Sequence, residues 1–380
     1  MRLQHVDIAR GLCMLLVVLG HNSTLVPPES TLHGVLGVVR MPLLFFIAGS
    51  FFNAERAVRV VARRKADALL KPFAVMVLLH APARLLWWDA SPLQYVLGAL
   101  TGSGNYLPWL YTLWFLPHLW LVFIAAGALA HCARVCQLSR IESALALTML
   151  MMVGHQFIPM FWMQNILVGD WSFTMQGLPL SADLLPLTLF FFCAGAMMRK
   201  PMRTLHFRWQ GMLVSLATLG LVYGLYAPHI DLLGRTYDRL MACTVAALAG
   251  ISCVLHLAAG LQCLPRVARW LGYCGYNSLF ILLFHSPIQH QSDLLLQRVL
   301  GTGPRWWTGA IAWALSVAGA LVLARVIRQR AWLRVLFLPT RSPHSRALPA
   351  SKEQVMPMPG SPAAMGREAS GDEVLGQKAA

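Results

Sequence analysis

The chain has 380 residues, of which 57% are hydrophobic and only 12% are charged, with a formal net charge of +16. Soluble domains carry about 25% charged and about 45–50% apolar residues, so this composition excludes an ordinary soluble domain and predicts an integral membrane protein embedded in the lipid bilayer. The basic residues alternate with long apolar runs instead of forming one patch, which argues against nucleic acid as a partner.

Ten apolar windows are long enough to cross the roughly 30 Å hydrocarbon core of a bilayer. They predict an all-α fold, a polytopic bundle of about ten transmembrane helices. The first window is too long for the core of a signal peptide and is expected to remain in the protein. The windows, in chain order, are 8–26, 33–52, 69–88, 108–130, 141–160, 180–198, 209–228, 239–261, 270–291 and 305–327.

The distribution of basic residues predicts the orientation of these helices. With the N-terminus in the cytoplasm, 25 of the 31 Lys and Arg residues fall in cytoplasmic segments and four in outer loops. The positive-inside rule favours this arrangement, which places both termini in the cytoplasm. Residues 1–330 are predicted to form one transmembrane domain. Residues 331–380, rich in Pro, Ser, Ala and Gly, are predicted to form a disordered cytoplasmic tail.

The eight cysteines do not indicate a disulfide framework or a metal site. Most lie inside apolar windows, and the sequence contains no C-x-x-C pair. His21, His118 and His285 fall on three different predicted helices, without the spacing of metal ligands. We therefore expect no bound metal.

The first window contains ionisable residues at a depth where charge is costly. Arg10 and His21 are eleven residues apart, about three helical turns, so the two side chains share one helix face about 16 Å apart along the axis. Asp7 precedes Arg10 by one turn, close enough to pair with it. A guanidinium at the inner rim can bind phosphate groups, and an imidazole deeper in the membrane can take a proton from a hydroxyl.

Further polar residues fall at a similar depth in other windows. A single intramembrane His or Arg often forms a structural hydrogen bond between helices, whereas several at one level suggest the lining of a cavity. Whether they converge stays open at this stage. These residues are Arg40, His80, Arg84, His118 and His285.

Four segments of the chain stand out as motifs, and the first of them pairs a basic residue with a His after ten intervening positions. The segments are Asp7-Ile-Ala-Arg10-Gly-Leu followed by His21, Met41-Pro-Leu-Leu-Phe-Phe-Ile-Ala-Gly49, Leu113-Trp-Phe-Leu-Pro117 and Leu283-Phe-His-Ser-Pro287. In this order they resemble motifs of the acyltransferase-3 family, and the third is similar especially to its sugar O-acetylase branch. Together they cover nearly all of the predicted membrane region.

The resemblance implies transfer of an acyl group, usually acetyl, from acyl-CoA to a hydroxyl of a carbohydrate or another small acceptor. His21 corresponds to the catalytic His of the family and Arg10 to its paired basic residue. The family's R-x-x-R before a Pro is not matched at Pro72, where Arg63, Arg64 and Lys65 stand instead as candidates for binding CoA phosphates. The resemblance also implies a bacterial cytoplasmic membrane.

The resulting hypothesis is an O-acetyltransferase in which His21 acts as general base on an acceptor that enters from the outer side. Acyl-CoA is the donor substrate, and no permanently bound cofactor is expected. A secondary transporter with a polar path is the alternative, and turnover of the thioester distinguishes the two. Candidate substrate-binding residues are Asp7, Arg40, Arg84, Trp114, His118 and His285.

Overall fold

The computed structural model describes residues 3–87, 92–107, 109–168, 171–301, 303 and 305–340. Within these ranges it describes the backbone but not the side chains of 84–87, 166–168 and 171–173. Helices dominate this part of the chain. The α-helices are α1 Gln4–Gly20, α2 Thr31–Ser50, α3 Val58–Lys65, α4 Lys71–Trp87, α5 Pro92–Thr101, α6 Phe115–Val135, α7 Arg140–Phe157, α8 Leu185–Met197, α9 Arg199–Arg203, α10 Trp209–Tyr226, α11 Leu240–Gly260, α12 Pro265–Tyr276, α13 Ser278–Leu300, α14 Trp306–Gln329 and α15 Ala331–Phe337.

Two short antiparallel hairpins interrupt the helices. The first pairs β1 Trp162–Val168 with β2 Trp171–Gln176, and the second pairs β3 Ile230–Asp231 with β4 Thr236–Tyr237. Neither hairpin extends into a larger sheet within the described residues. The protein is therefore a helical protein with two local β-hairpins.

Seven helices in the described part of the chain are long and apolar enough to cross a membrane. This confirms the prediction of a helical membrane protein. The other three predicted windows, 8–26, 209–228 and 270–291, overlap α1, α10 and α13, which lie outside this set. The number ten and the cytoplasmic termini remain predictions. The seven segments are Thr31–Ser50, Val58–Ala83, Tyr111–Val135, Arg140–Phe161, Pro179–Met197, Leu240–Cys263 and Trp306–Gln329.

The packing of the helices explains the high apolar content. Large aromatic side chains such as Phe45, Phe192 and Phe280 fill the interior. Helices at the periphery expose apolar side chains as well, for example Leu213 and Leu221 on α10. An apolar exterior is costly in water and favourable in lipid, so the outer surface of the bundle fits a bilayer.

The predicted window 270–291 has the wrong boundaries because the helix is interrupted at Asn277. The buried Asn277 side chain donates from Nδ2 to the Tyr273 carbonyl at 2.9 Å. Its Oδ1 accepts from Arg328 Nε at 3.3 Å and from Nη2 at 3.2 Å. These bonds satisfy the polar groups at the junction, so α12 ends at Tyr276 and α13 begins at Ser278.

The segment 56–71, expected as a basic cytoplasmic loop, is largely helical. Helix α3 continues through one π-helical segment, Ala66–Leu70, directly into α4. Arg63, Arg64 and Lys65 therefore stand on a continuous helix, on the last turn of α3.

The first residues assigned to the disordered tail are ordered. Residues Ala331–Phe337 form α15, and the Phe337 side chain is buried with its ring 5.9 Å from that of Phe284. Lys71 Nζ donates to the Leu338 carbonyl at 2.6 Å. This helix is explained by a local apolar segment that contains Trp332, Val335, Leu336 and Phe337. The average composition of residues 331–380 does not reveal so short a segment. The predicted tail from 341 onward lies outside the described residues.

Two pairs of glycines allow helices to cross in direct backbone contact. A methyl group on Gly11 of α1 would collide with the Leu271 carbonyl of α12, and one on Gly275 of α12 would collide with the Asp7 carbonyl. Gly49 of α2 and Gly195 of α8 make the same reciprocal contact with Phe192 and Phe46. Such small-residue crossings are typical of membrane helix pairs. They fix the two helices, α1 and α2, that carry the candidate site.

Candidate functional site

His21 lies at the end of α1, beside an internal cavity of about 220 Å³. Its Nδ1 is 3.3 Å from Tyr111 Oη, and the two rings meet edge to face at 5.4 Å between centroids. The His285 ring lies 5.5 Å from the His21 ring on another side. His21 Nε2 has no hydrogen bond to any described residue, so it is the nitrogen left for a ligand.

Four parts of the fold surround this His21 cavity. The end of α1 contributes His21, α2 contributes Arg40, the 3₁₀ turn Tyr111–Trp114 precedes α6, and the β3–β4 hairpin covers one side. The described residues that line the cavity are Val17, Gly20, His21, His33, Arg40, Met41, Leu44, Tyr111, Thr112, Trp114, Phe115, Ile230, Asp231, Leu232, Leu233 and Leu282.

Arg40 presents an unused hydrogen-bond donor to this cavity. Its guanidinium lies directly against Gly20, where a Cβ atom would collide with Nη1. The C-terminal end of α1 carries partial negative charge, which favours a cation at this point. Nη1 is nevertheless buried and has no hydrogen-bond partner among the described residues. Buried donors are rarely left unpaired, so the position suits a polar ligand atom.

Two further buried nitrogens beside the cavity are also unpaired within the described part of the chain, His33 Nδ1 and His285 Nε2. His285 Nδ1 lies 2.8 Å from the Ile281 carbonyl. A carbonyl oxygen only accepts, so Nδ1 carries the proton and Nε2 is an acceptor when the ring is neutral. Unused donors and acceptors therefore surround the same space.

Arg10 lines a second cavity, of about 200 Å³, instead of the His21 cavity. Its guanidinium lies 4.9 Å from the centroid of the Phe51 ring, and Lys65 Nζ lies 3.8 Å from that of Phe123. The single chamber expected for Arg10 and His21 is thus two cavities. They share three lining side chains, Leu44, Phe115 and Leu282.

A third cavity, also about 200 Å³, continues from the Arg10 cavity and is strongly basic. We call it the basic cleft. It shares Phe51, Lys65 and Phe123 with the Arg10 cavity. Four cationic side chains in one cleft could hold an anionic group such as a phosphate. The cations that line it are Arg56, Arg64, Lys65 and Arg199.

The structure therefore brings only part of the predicted basic set together. Lys65 and Arg64 line the basic cleft, whereas Arg63, exposed like Arg64, is not among its described lining residues. Arg56 and Arg199 were not among the residues predicted to bind CoA. Arg199 begins the short helix α9, far away along the chain, and only the fold places it beside α3.

One of the remaining predicted site residues lines the His21 cavity, and others are packed between helices. Trp114 lines the His21 cavity. His118 is fully buried, donates from Nδ1 to the Leu180 carbonyl at 2.9 Å and bonds Thr188 Oγ1 through Nε2 at 3.0 Å. Both of its nitrogens are thus used by the protein. Asp7 is buried where α1 packs against α12 and is not among the described lining of the three cavities. The Arg84 side chain lies outside the described residues.

Sequence reasoning missed Tyr111, His33 and Asp231, which all line the His21 cavity. Tyr111 stands three residues before Trp114, so the motif that contains Trp114 was a usable signal. Asp231 lies in a hairpin turn, where an acidic residue is common for local reasons, and its Oδ1 accepts from the Leu233 amide at 3.0 Å.

A buried ion pair fixes the hairpin that covers the His21 cavity. Arg235 Nε lies 2.9 Å from Asp183 Oδ2, and the two side chains are 1% and 0% exposed. Arg235 Nη2 also donates to Ser181 Oγ at 3.1 Å, and Nη1 donates to the Leu233 carbonyl at 3.1 Å. The pair joins β3–β4 to the turn before α8, and its polar atoms are well satisfied.

We expect the substitution Asp183→Ala to lower the free energy of unfolding by about 3–5 kcal/mol, because it leaves Arg235 charged and buried without its partner. Thermal unfolding of the purified protein in detergent measures this loss. The control is Asp67→Ala, since Asp67 pairs with Lys71 at 2.6 Å with both side chains about a quarter exposed. Asp67 also accepts hydrogen bonds from Thr340 N and Oγ1 at 2.6 and 2.8 Å, so that change should cost about 1–2 kcal/mol, less than the loss of the buried pair. Equal losses in the two variants would contradict a structural role for the buried pair.

Fold and site together define a helical membrane protein in which a half-buried histidine lines one of three adjoining cavities, and four cations line the cavity at the other end of the series. The sequence model of the acyltransferase-3 family, described as an acyltransferase domain, matches residues 3–325. The chain therefore belongs to the acyltransferase-3 family, which confirms the resemblance and supports a membrane acyltransferase. No curated protein and no solved structure matches the chain.

Proposed function

We propose that the protein transfers an acyl group, acetyl in the simplest case, from acyl-CoA to a hydroxyl of a carbohydrate or similar small acceptor. The observation that carries this proposal is the series of three adjoining cavities. It leads from four cations in the basic cleft to His21 and the unpaired guanidinium nitrogen of Arg40. Each successive cavity suits one part of the donor molecule.

The phosphates of the donor are assigned to the basic cleft, where Arg56, Arg64 and Arg199 supply charge-assisted hydrogen bonds. The pantetheine arm then passes the Arg10 cavity. The thioester reaches the point where Leu44, Phe115 and Leu282 separate the Arg10 cavity from the His21 cavity. In this arrangement Arg10 acts on the donor and does not touch the reacting atoms.

His21 is the general base in this proposal. Its Nε2 takes the proton from the acceptor hydroxyl while the hydroxyl oxygen attacks the thioester carbonyl carbon. Arg40 Nη1 donates to the carbonyl oxygen as negative charge develops there. The C–S bond breaks, and the leaving sulfur receives the proton from His21. General-base catalysis contributes about 10²–10⁴-fold, and positioning in a closed cavity contributes the rest.

The acceptor enters beneath the β3–β4 hairpin. Trp114 and Tyr111 offer aromatic faces, and Asp231 and His33 offer polar atoms, a combination that suits the faces and hydroxyls of a sugar. With the positive-inside orientation, the donor binds from the cytoplasm and the acceptor from the outer side of a bacterial cytoplasmic membrane.

Acetyl-CoA turnover by the purified protein tests this function. The assay measures free thiol released in detergent or liposomes, with and without an extract of envelope carbohydrates. An acyltransferase releases CoA in proportion to acetyl groups found on the acceptor by mass spectrometry. A transporter would move a substrate and leave the thioester intact, so an intact donor under all conditions would reject the proposal.

Removing one cation of the basic cleft should weaken donor binding without changing the chemical step. We expect Arg64→Ala to raise the KM for acyl-CoA about ten-fold, because one charge-assisted contact contributes about 1.5–3 kcal/mol and solvent weakens it here. The value of kcat at saturating donor should stay within about two-fold. Steady-state kinetics at several salt concentrations measure both values.

The adjacent Arg63 is the control, since it is exposed, equally charged and not among the described lining of the cleft. Arg63→Ala should leave the KM for acyl-CoA within about two-fold. An equal rise in both variants would assign the effect to the general surface charge and remove the cleft from the donor site.

A further inference from the structure

We propose that Tyr111 positions His21, holding its imidazole as the Nδ1–H tautomer so that Nε2 is the base. This inference rests on the proposed function and names a residue that acts through His21. Tyr111 Oη is 3.3 Å from His21 Nδ1, and no described residue bonds Nε2. The contact therefore selects which of the two ring nitrogens faces the chemistry.

The position of Tyr111 is set by the fold. Tyr111 begins the 3₁₀ turn Tyr111–Trp114 that leads directly into α6, so its backbone is fixed by regular structure. Its side chain lies between His21 at the end of α1 and Ser286 on α13, whose hydroxyl is near Tyr111 Oη. A hydroxyl between two such partners can accept one hydrogen bond and donate another.

A chain of hydrogen bonds with one direction follows from this arrangement. His21 Nδ1–H donates to Tyr111 Oη, and Tyr111 O–H donates to Ser286 Oγ. The opposite direction would place the His21 proton on Nε2 and leave that nitrogen unable to accept a proton. Only the first direction gives a base at the cavity side of the ring.

The surroundings of His21 explain why a neutral hydroxyl serves here in place of the carboxylate that orients many catalytic histidines. The groups that face His21 are Arg40 from α2, Tyr111 from the turn before α6, and His285 from α13. No carboxylate of the described residues is hydrogen-bonded to the ring. Tyr111 can thus fix the tautomer without adding negative charge that would attract the Arg40 guanidinium away from the thioester.

During transfer, Tyr111 and His21 Nδ1 keep their protons. The acceptor proton moves to Nε2, the C–O bond forms, the C–S bond breaks, and the same proton leaves with the sulfur. Tyr111 is therefore a positioning residue, and its removal should slow the chemical step while leaving both substrates bound.

The substitution Tyr111→Phe retains the ring and removes only Oη. We expect kcat to fall about 10–100-fold, by analogy with the loss of a group that orients a metal-binding histidine. The KM values for acyl-CoA and acceptor should stay within about two-fold. The control is Tyr95→Phe, since Tyr95 is buried and donates to the Val77 carbonyl at 2.7 Å away from the cavity. It should leave kcat within about two-fold.

A second measurement separates positioning from packing. Incorporation of Nδ-methylhistidine at position 21 leaves Nε2 as the only base and removes the N–H group that donates a hydrogen bond to Tyr111. We expect this protein to retain measurable transfer, and Tyr111→Phe to change its kcat by less than about two-fold. Thermal unfolding of every variant checks that the fold persists.

An equal loss of kcat on Tyr111→Phe in the native and the methylated protein would overturn the proposal. So would complete inactivity of a folded methylated protein, since Nδ1 would then be the reacting nitrogen. If the native protein turns over acetyl-CoA and Tyr111→Phe does so at the native rate, the positioning role fails while the proposed function stands. If the native protein leaves the thioester intact, the proposed function fails first.

Discussion

Replacing His21 with alanine is expected to lower the rate of acyl transfer by about 10²–10⁴-fold. The imidazole is the one group in the His21 cavity whose free nitrogen can both take a proton from a hydroxyl and return it to a leaving sulfur. The cavity, Arg40 and the basic cleft all persist in the variant, so the affinity for acyl-CoA should change little. Steady-state kinetics with the purified protein and a direct binding assay measure the two effects.

His256→Ala provides the matched control for the loss of an imidazole. His256 lies on α11, where its Nδ1 donates to the Ser252 carbonyl at 2.9 Å, and it is not among the described lining of the three cavities. Its removal should leave the transfer rate within about two-fold. A His21→Ala protein that folds and still transfers acyl groups at the native rate would remove His21 from the mechanism.

The substitution Gly275→Ala should produce a large loss of stability. The new Cβ would collide with the Asp7 carbonyl of α1, a backbone atom that cannot rotate away. Helices α1 and α12 must then separate, which we expect to lower the free energy of unfolding by at least about 1–3 kcal/mol. Thermal unfolding in detergent measures the change. Because α1 carries His21, the transfer rate should fall as well.

Gly272→Ala is the control on the same helix, since no atom lies within 4 Å of its added Cβ. Alanine has a higher helix propensity than glycine, so this variant should be unchanged or more stable by up to about 1 kcal/mol. A loss of stability in Gly275→Ala with no loss in Gly272→Ala distinguishes a steric collision from the effect of helix propensity. Similar unfolding temperatures for the two variants would contradict the close crossing of α1 and α12.

The helical membrane fold could be predicted from the sequence because its signal is additive along the chain. A run of about twenty apolar residues is detectable without knowledge of any contact. The breaks in helices were harder to predict. Asn277 ends α12 because its amide bonds Tyr273 and Arg328, and Arg328 is fifty-one positions away. Hydropathy averaged over neighbouring residues contains no information about a hydrogen-bond partner so distant along the chain.

Single residues of the candidate site were predictable from the sequence, but their division between cavities was not. Arg10 and His21 follow from helical spacing, which places both on one face but does not indicate that side chains from α2, α6 and α13 divide the space between them. Arg199 and Asp231 reach the cavities through the fold alone. His118 shows the opposite error, since a buried histidine can be satisfied entirely by a carbonyl and a threonine.

Helix α1 has only 17 residues and is about 25 Å long, shorter than the roughly 30 Å hydrocarbon core. In the orientation that the basic residues predict, α1 starts at the inner boundary of the core, and His21 at its end would lie below the outer boundary. With acyl-CoA as the proposed donor, exclusion of bulk water at this depth would protect the thioester from hydrolysis until an alcohol arrives. In the proposed reaction, the short first helix would thus favour transfer over hydrolysis.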